Sequence, residues 1–519
     1  MNRKYLNYAI FIAIVAVVIG LAVRHSRHMA FLVDSMAGQD SGARVAGAKE
    51  LVKGEQFMDS ITGETVPRRV AIVQALEDWG DKDATRQAVA FLKDPDRPVR
   101  DRLLVGVLRL AGKSDENLQE VANGIKDGDG NVRALCVTAL QVLGSSDRAA
   151  ARTRLSRALP DAKDVLLDEV LDGRKPQVAG KIIPMVVALM KADPNARGTG
   201  GDVLAVYDAE AEECVKAVSP MVDEKDDGIA SGAITALGKI GSATPVPQLK
   251  AKLASCSPQV RRVVIGAIAL IADVSGEDVL IAALNTPSED NEARAQAAVG
   301  LGRIATGPAL AALDTALSDP DLKVQLAAVS ALARGGRKSL PVLLAALKHS
   351  DPVVRGRAAR ALAGISAPEA NPALIATLDD ANTSVASEAA LALGFEGNSG
   401  AVAALVARLA AADSTRAISA ADALASIGAS SQPALGVALG NGGQTSYYAS
   451  RSLTKQGPVA VPAIVKAASS GPVAARWAAT ALGGIGGAES RQGLEAIAQS
   501  TDAEAKQIAS NALTRMNMN

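Results

Sequence analysis

The chain has 519 residues and a formal net charge of +0, with 55 basic side chains against 55 acidic ones. This length exceeds what a single compact core supports, and the charge balance argues against a broad electrostatic surface for nucleic acid. Hydrophobic residues make up 48% of the chain but aromatic residues only 2%, so we expect a core of small aliphatic side chains.

The chain starts with an apolar segment. Residues 5–23 carry no charge and are about long enough to cross a bilayer. Arg24 and Arg27 follow directly, where a cleaved signal peptide would have small residues. The sequence therefore favours an uncleaved signal anchor in residues 1–28 over a cleaved signal. Basic residues on both sides leave both orientations open, and we expect a single-pass membrane protein with an extracytoplasmic repeat domain.

Pairs of short helices recur after this segment. In residues 339–365, Pro341 suits the first turn of one helix, and Asp351–Pro352 ends it. Both helices have an apolar stripe at helical spacing, and neither is long enough to be stable alone. Similar segments end at evenly spaced glycines: Gly80, Gly112 and Gly144. The period of roughly 29–33 residues is typical of a solenoid.

The predicted fold class is all-α: an α-solenoid, a superhelix of about 15 helical hairpins, after one N-terminal transmembrane helix. Two weaker repeats are expected around Leu155–Gly173 and Ile182–Asp208. Cys136 lies within an apolar helical stripe and is expected to be a small core residue. The expected divisions are a repeat domain at 29–519, with a degenerate capping pair at 29–65, repeats at 66–501, and a capping repeat and tail at 502–519.

The repeat has a sequence pattern of its own. Pro-x-x-Leu-x-x-Leu is followed by Asp, then Val-Arg, then Ala-x-x-Ala-Leu. It resembles the HEAT repeat, in particular the short bacterial form named for phycobilisome lyases. The resemblance implies second helices lining a concave face and Asp–Arg hydrogen bonds between neighbouring repeats. A structural role is favoured over ligand binding for the residues that match best: Asp94, Arg100, Asp127 and Arg133.

We find no convincing catalytic pattern. His25 and His28 flank the apolar segment, and His349 lies in a turn without a second ligand at metal-binding spacing. Glycine-rich stretches close helices instead of following strands, so they do not fit phosphate loops. Asp223–Asp227 lacks calcium-loop spacing. The sequence therefore predicts that the protein is not an enzyme and binds no cofactor and no metal.

Aligned second helices place residues of varied character at one position, as a solvent-facing site would: Arg357, Glu388, Ser419, Tyr448 and Trp477. Exposed aromatic rings beside arginine are typical anchors of a protein interface. The alternative is that the rings fill space left by weak Gly/Ser-rich repeats, the commoner use of aromatic side chains. The candidate partner-binding residues are Tyr447, Tyr448, Arg451, Trp477, Arg357 and Glu388.

The function predicted from these features is a non-enzymatic, membrane-anchored scaffold that binds a protein partner on a concave solenoid surface. The membrane contact would be made by residues 5–23. The resemblance also allows a phycobilin-lyase-like role in chromophore attachment, or a chaperone role. A nucleic-acid-binding solenoid is disfavoured by the charge balance, although a local arginine stripe would permit it.

Overall fold

A computed structural model describes residues 28–53, 61–62, 64–162, 164–172, 178–365, 367–394 and 398–518. These residues form helices and turns, and no strand occurs among them. The chain divides into two compact units, Met1–Ile271 and Ala272–Asn519, here called unit 1 and unit 2. The all-helical part of the fold prediction is confirmed.

Unit 1 starts, in its described part, with helical residues 28–37. Its further helices are α1 (Ser41–Lys53), α2 (Val66–Trp79), α3 (Lys82–Phe91), α4 (Arg97–Ala111), α5 (Asp115–Asn123), α6 (Gly130–Gly144), α7 (Arg148–Ala158), α8 (Asp164–Asp172), α9 (Ala179–Ala192), α10 (Pro194–Leu204), α11 (Ala211–Val218), α12 (Asp227–Ile240), α13 (Val246–Lys252) and α14 (Pro258–Ile271).

Unit 2 is a run of helical pairs, in which a short first helix precedes a longer second helix. Its helices are α15 (Glu277–Asn285), α16 (Asn291–Ile304), α17 (Gly307–Ala316), α18 (Leu322–Arg334), α19 (Leu340–Ala346), α20 (Pro352–Ala363), α21 (Asn371–Thr377), α22 (Thr383–Gly394), α23 (Val402–Arg408), α24 (Ser414–Ile427), α25 (Gln432–Ala438), α26 (Gly443–Gln456), α27 (Val461–Ala468), α28 (Pro472–Ile485), α29 (Gly487–Ile497) and α30 (Ala503–Met518).

Aspartate side chains start many of the second helices. Asp351 caps α20 by accepting a hydrogen bond from the backbone N–H of Val353, and Pro352 follows in the first turn. Asp321 caps α18 in the same way. Such caps stabilise a helix by about 1 kcal/mol because they satisfy N–H groups that lack a partner in the first turn. The Asp-Pro element of the repeat therefore follows the end of the first helix and starts the second helix.

Small residues let successive second helices pack closely. A Cβ added at Gly302 of α16 would lie 2.5–2.6 Å from Ala331 of α18, backbone atoms included. A Cβ added at Gly394 of α22 would likewise lie 2.6–3.0 Å from atoms of Ala423 of α24. The closeness of these backbones explains why the chain is rich in alanine and glycine and poor in large rings.

Arginine–aspartate pairs join neighbouring repeats, but with partners other than those expected. Asp94 receives a hydrogen bond of 3.2 Å from Arg69 of the preceding repeat. Arg100 and Arg133 instead donate to backbone carbonyls of their own turns, those of Asp94 and Asp127, each at 2.6 Å. Inter-repeat pairs of unit 2 include Arg294–Asp319, Arg355–Asp380 and Arg476–Asp502. The structural role is observed, and the predicted partners are corrected.

Helices α7 and α8 are an insertion in the stack, here called the inserted hairpin. First helix α5 contacts α9, and second helix α6 contacts α10, so the repeats on either side of the hairpin pack directly on each other. The hairpin packs instead on α6 and reaches back to α4. The repeat expected around Leu155–Gly173 is therefore not a member of the stack. Helices α9 and α10 take the place of the one expected around Ile182–Asp208.

The predicted membrane localisation is corrected. No helix of the described residues is long and apolar enough to cross a bilayer. The last helix, α30, has 16 residues, whereas a span needs about 20 apolar ones. Residues 5–23, on which the prediction rested, lie outside the described part of the chain.

Candidate functional site

Three aromatic side chains meet at the junction of α26 and α28. The ring of Tyr447 makes edge-to-face contacts with Tyr448 and Trp477, with centroids 5.0 and 6.0 Å apart. Tyr447 is 50% exposed, whereas Tyr448 is only 6% exposed. Trp477 is partly buried. The cluster therefore has a packed base, Tyr448, and an exposed edge, Tyr447.

The position aligned from sequence does not face solvent in every repeat. Arg357 is exposed and Glu388 is partly buried, but Ser419 and Tyr448 are buried. The expected exposure of Tyr448 is thus wrong, and for this ring the space-filling alternative describes what is observed. The residue before it, Tyr447, provides the exposed aromatic surface instead.

The charged candidates are held by neighbouring helices. Glu388 of α22 accepts a hydrogen bond of 2.9 Å from Arg360 of α20. Arg451 of α26 lies 3.1 Å from Asp422 of α24, and Lys455 lies 2.7 Å from the same carboxylate. Because two cations share one carboxylate here, this part of the surface keeps a positive charge.

Two exposed apolar residues were missed from sequence. Leu391 of α22 is 49% exposed, and Ile418 of α24 is exposed as well. Gly394 packs on Ala423, so along these adjacent helices Leu391 lies within one turn of Ile418. Ile418 and Tyr447 directly precede the aligned position in successive repeats. Their alanine-rich surroundings gave no periodic signal that could single them out.

We define the unit-2 second-helix surface as the exposed side of α20, α22, α24, α26 and α28. Its apolar part is Leu391, Ile418, Tyr447 and Trp477. Basic side chains outnumber acidic ones around it: Arg357, Arg360, Arg451 and Lys455 against Glu388 and Asp422. An apolar stripe with a basic border can bind a protein segment by burial and by charge.

In unit 1 the inserted hairpin covers the corresponding side of α4. A cavity of about 270 Å³ separates them, lined on α4 by Asp101, Arg102, Val105 and Arg109. The facing residues of the hairpin include Leu159 and Leu166. Partial burial raises the pKa of Asp101 above its ordinary value. Beneath this cover Val105 is only 2% exposed.

The ionisable groups give no sign of a metal site or an activated nucleophile in the described residues. No cluster of three or more potential metal ligands occurs among them. Cys136 and Cys214 are buried, which raises the pKa of each thiol to about 12. Their thiolate forms are therefore negligible at neutral pH. The prediction that Cys136 is a core residue is confirmed.

Comparison with known proteins identifies the repeats. The family model of HEAT repeats matches residues 246–333 and 340–425. The chain therefore contains HEAT repeats in these two segments, as the sequence pattern predicted. The phycobilisome-lyase-like subtype is not shown by any comparison. No curated protein sequence matches the chain significantly.

Solved helical-repeat structures give only distant likenesses. The crystal structure of Kap121p is 14% identical, with a TM-score of 0.37, over 95% of this chain and 54% of that one. Kap121p bound to Ste12p is 14% identical, with a TM-score of 0.38, over 95% and 66%. Human deoxyhypusine hydroxylase in complex with glycerol is 18% identical, with a TM-score of 0.23, over 60% and 98%. The chain thus spans about half to two thirds of these Kap121p chains.

Proposed function

We propose that this protein is a non-enzymatic scaffold that binds a protein partner through the unit-2 second-helix surface. The observation that carries the proposal is the exposed apolar stripe of Leu391, Ile418 and Tyr447, continued by the edge of Trp477. Contiguous apolar surface rimmed by polar groups is a common mark of an interaction site. HEAT repeats supply the rigid helices on which such a stripe is built.

Packing of the aromatic cluster favours a binding role for its exposed edge. Tyr448 is buried beneath Tyr447 and contacts it edge to face, so the exposed ring is supported from below. A ring fixed in this way loses little conformational entropy when a partner covers it. Aromatic residues of this kind are frequent among the side chains that dominate binding energy.

The test is site-specific crosslinking in the cells that make the protein. A photoreactive amino acid placed at position 447 should capture a defined protein, and the same probe at Val437, which is exposed on first helix α25, should not. Combining Tyr447→Ala with Leu391→Ala should reduce the yield of that partner in affinity isolation by at least tenfold. Equal capture from both positions, or an unchanged yield, would contradict the proposal.

A further inference from the structure

The inserted hairpin shows what kind of segment this chain itself places on a second-helix surface. Val105 of α4 and Leu391 of α22 occupy equivalent positions, because each lies six residues after the valine of the repeat pattern, Val99 or Val385. Val105 is 2% exposed because the hairpin lies over α4. Leu391 is 49% exposed. The same helix position is therefore covered in unit 1 and open in unit 2.

One helix of the covering segment, α8, is acidic and amphipathic. The other helix, α7, is basic, and its Arg148 and Arg152 pair with carboxylates of α8. In α8, Leu167 and Leu171 are buried, whereas Asp164 and Asp172 are exposed. Leu166, from the same helix, lines the cavity against α4. Apolar residues on one face of α8 thus point into the protein, and carboxylates border them.

The open surface of unit 2 has complementary chemistry. Exposed Arg357 lies on α20, the helix before the stripe, and exposed Lys455 lies about two turns after Tyr447 on α26. Lys455 shares the single carboxylate of Asp422 with Arg451, which leaves positive charge at this border. An apolar segment with acidic flanks would bury the stripe and compensate this charge, whereas a basic segment would be repelled.

We propose that the unit-2 second-helix surface binds an amphipathic α-helix of a partner protein, with Asp and Glu residues flanking its apolar face. Leu391, Ile418 and Tyr447 receive the apolar side chains, and Arg357 and Lys455 receive the carboxylates. Packed helices lie about 8–10 Å apart, so the stripe from α22 to α28 is about 25–30 Å long. A helix of about 16–20 residues, rising 1.5 Å per residue, matches this length. This inference rests on the proposed function and specifies its partner.

The experiment selects ligands without assuming a partner. A displayed library of random 20-residue peptides is selected on the full-length protein, and each enriched peptide is synthesised for fluorescence-anisotropy titration. We expect enriched sequences with apolar residues at i, i+3, i+4 and i+7 and with acidic flanks. Their Kd should rise at least tenfold for the Arg357→Glu/Lys455→Glu protein and for Tyr447→Ala. Val437→Ala, an exposed substitution elsewhere in unit 2, should leave Kd unchanged.

The outcomes separate this inference from the function on which it rests. Enriched peptides that need Tyr447 but are basic or lack helical periodicity would overturn the inference and leave the binding function in place. Peptides that bind equally well to the wild type and to every surface variant would overturn both. Circular dichroism of each variant, compared with the wild type, establishes that the substitutions leave the helical fold intact.

Discussion

Removal of Arg294 should destabilise unit 2 far more than removal of an exposed arginine in the same unit. The side chain of Arg294 is 6% exposed and forms an ion pair with Asp319 of the next repeat. It also donates two hydrogen bonds of 3.1 Å to the carbonyl of Leu284. In Arg294→Met the carboxylate of Asp319 stays buried with only the N–H of Asp321, at 2.9 Å, still donating to it. Breaking a buried pair in this way costs about 3–5 kcal/mol.

Arg360→Met is the matched control. Arg360 also pairs with a carboxylate of the next repeat, that of Glu388, but its side chain is 60% exposed. Because water screens that pair, its loss should cost less than about 1 kcal/mol. Urea unfolding followed by circular dichroism, with native-state hydrogen exchange of α16 and α18, measures both changes.

A double substitution tests the cause of the loss. Arg294→Met combined with Asp319→Asn removes the uncompensated charge, so its effect should be smaller than the sum of the two single effects by about 1–3 kcal/mol. Similar losses for Arg294→Met and Arg360→Met would refute the reasoning, because burial would then not determine the strength of these pairs. Strict additivity in the double variant would refute the role given to Asp319.

Three further predictions concern packing, thiols and pH. Gly302→Ala should destabilise the protein by about 1–3 kcal/mol, because the added methyl group meets a neighbouring backbone. A methyl group added at Gly356 has its nearest atoms 3.8–4.0 Å away, so Gly356→Ala should stabilise the protein by about 0.4–1 kcal/mol in the same unfolding assay, because alanine lowers the entropy of the unfolded chain. A thiol-specific disulfide reagent should label Cys256 in the native protein and the two buried cysteines only after unfolding, so rapid native labelling of all three would contradict the structure. The hydrogen bond from Arg476 lowers the pKa of Asp502 to about 2, below the value of about 3.9 for an unfolded chain, so its contribution to stability is complete above about pH 4 and is lost as pH falls towards 2. The difference in unfolding midpoint between wild type and Asp502→Asn should therefore shrink over that range, and a constant difference would refute the assignment.

The inter-repeat arginine pairs show how far sequence patterns reach. The Val-Arg element predicted a structural arginine, and Arg355 does pair with Asp380 of the next repeat. For Arg100 the same pattern named the wrong acceptor, because the side chain turns back to the carbonyls of its own loop. Repeat periodicity determines which residues are equivalent. Which of several acceptors within reach a long side chain uses depends on the packing of the loops.

The candidate site likewise has a part that repeat periodicity predicts and a part that packing decides. Sequence alignment located the aromatic cluster around Tyr448 and Trp477, since repeat spacing alone brings equivalent positions of successive helices together. It could not tell that Tyr448 is buried and that Tyr447 is exposed. Adjacent residues of a helix point about 100° apart, and the rotation of the helix about its own axis, which packing sets, determines which of them faces solvent.

Sequence by itself determined the helical class, the repeat length and the small-residue core, because these follow from local periodicity, from helix starts and stops, and from the need of short helices to bury their stripes. Only the tertiary structure decided that α7 and α8 leave the stack. Their buried residues, Ala151 and Leu155 in α7 and Leu167 and Leu171 in α8, have the i, i+4 spacing that also occurs in repeat helices. The position of α7 and α8 outside the stack follows from the packing of α6 on α10, two helices that lie far apart in the chain. The same kind of long-range contact buries Val105 and leaves Leu391 open to a partner.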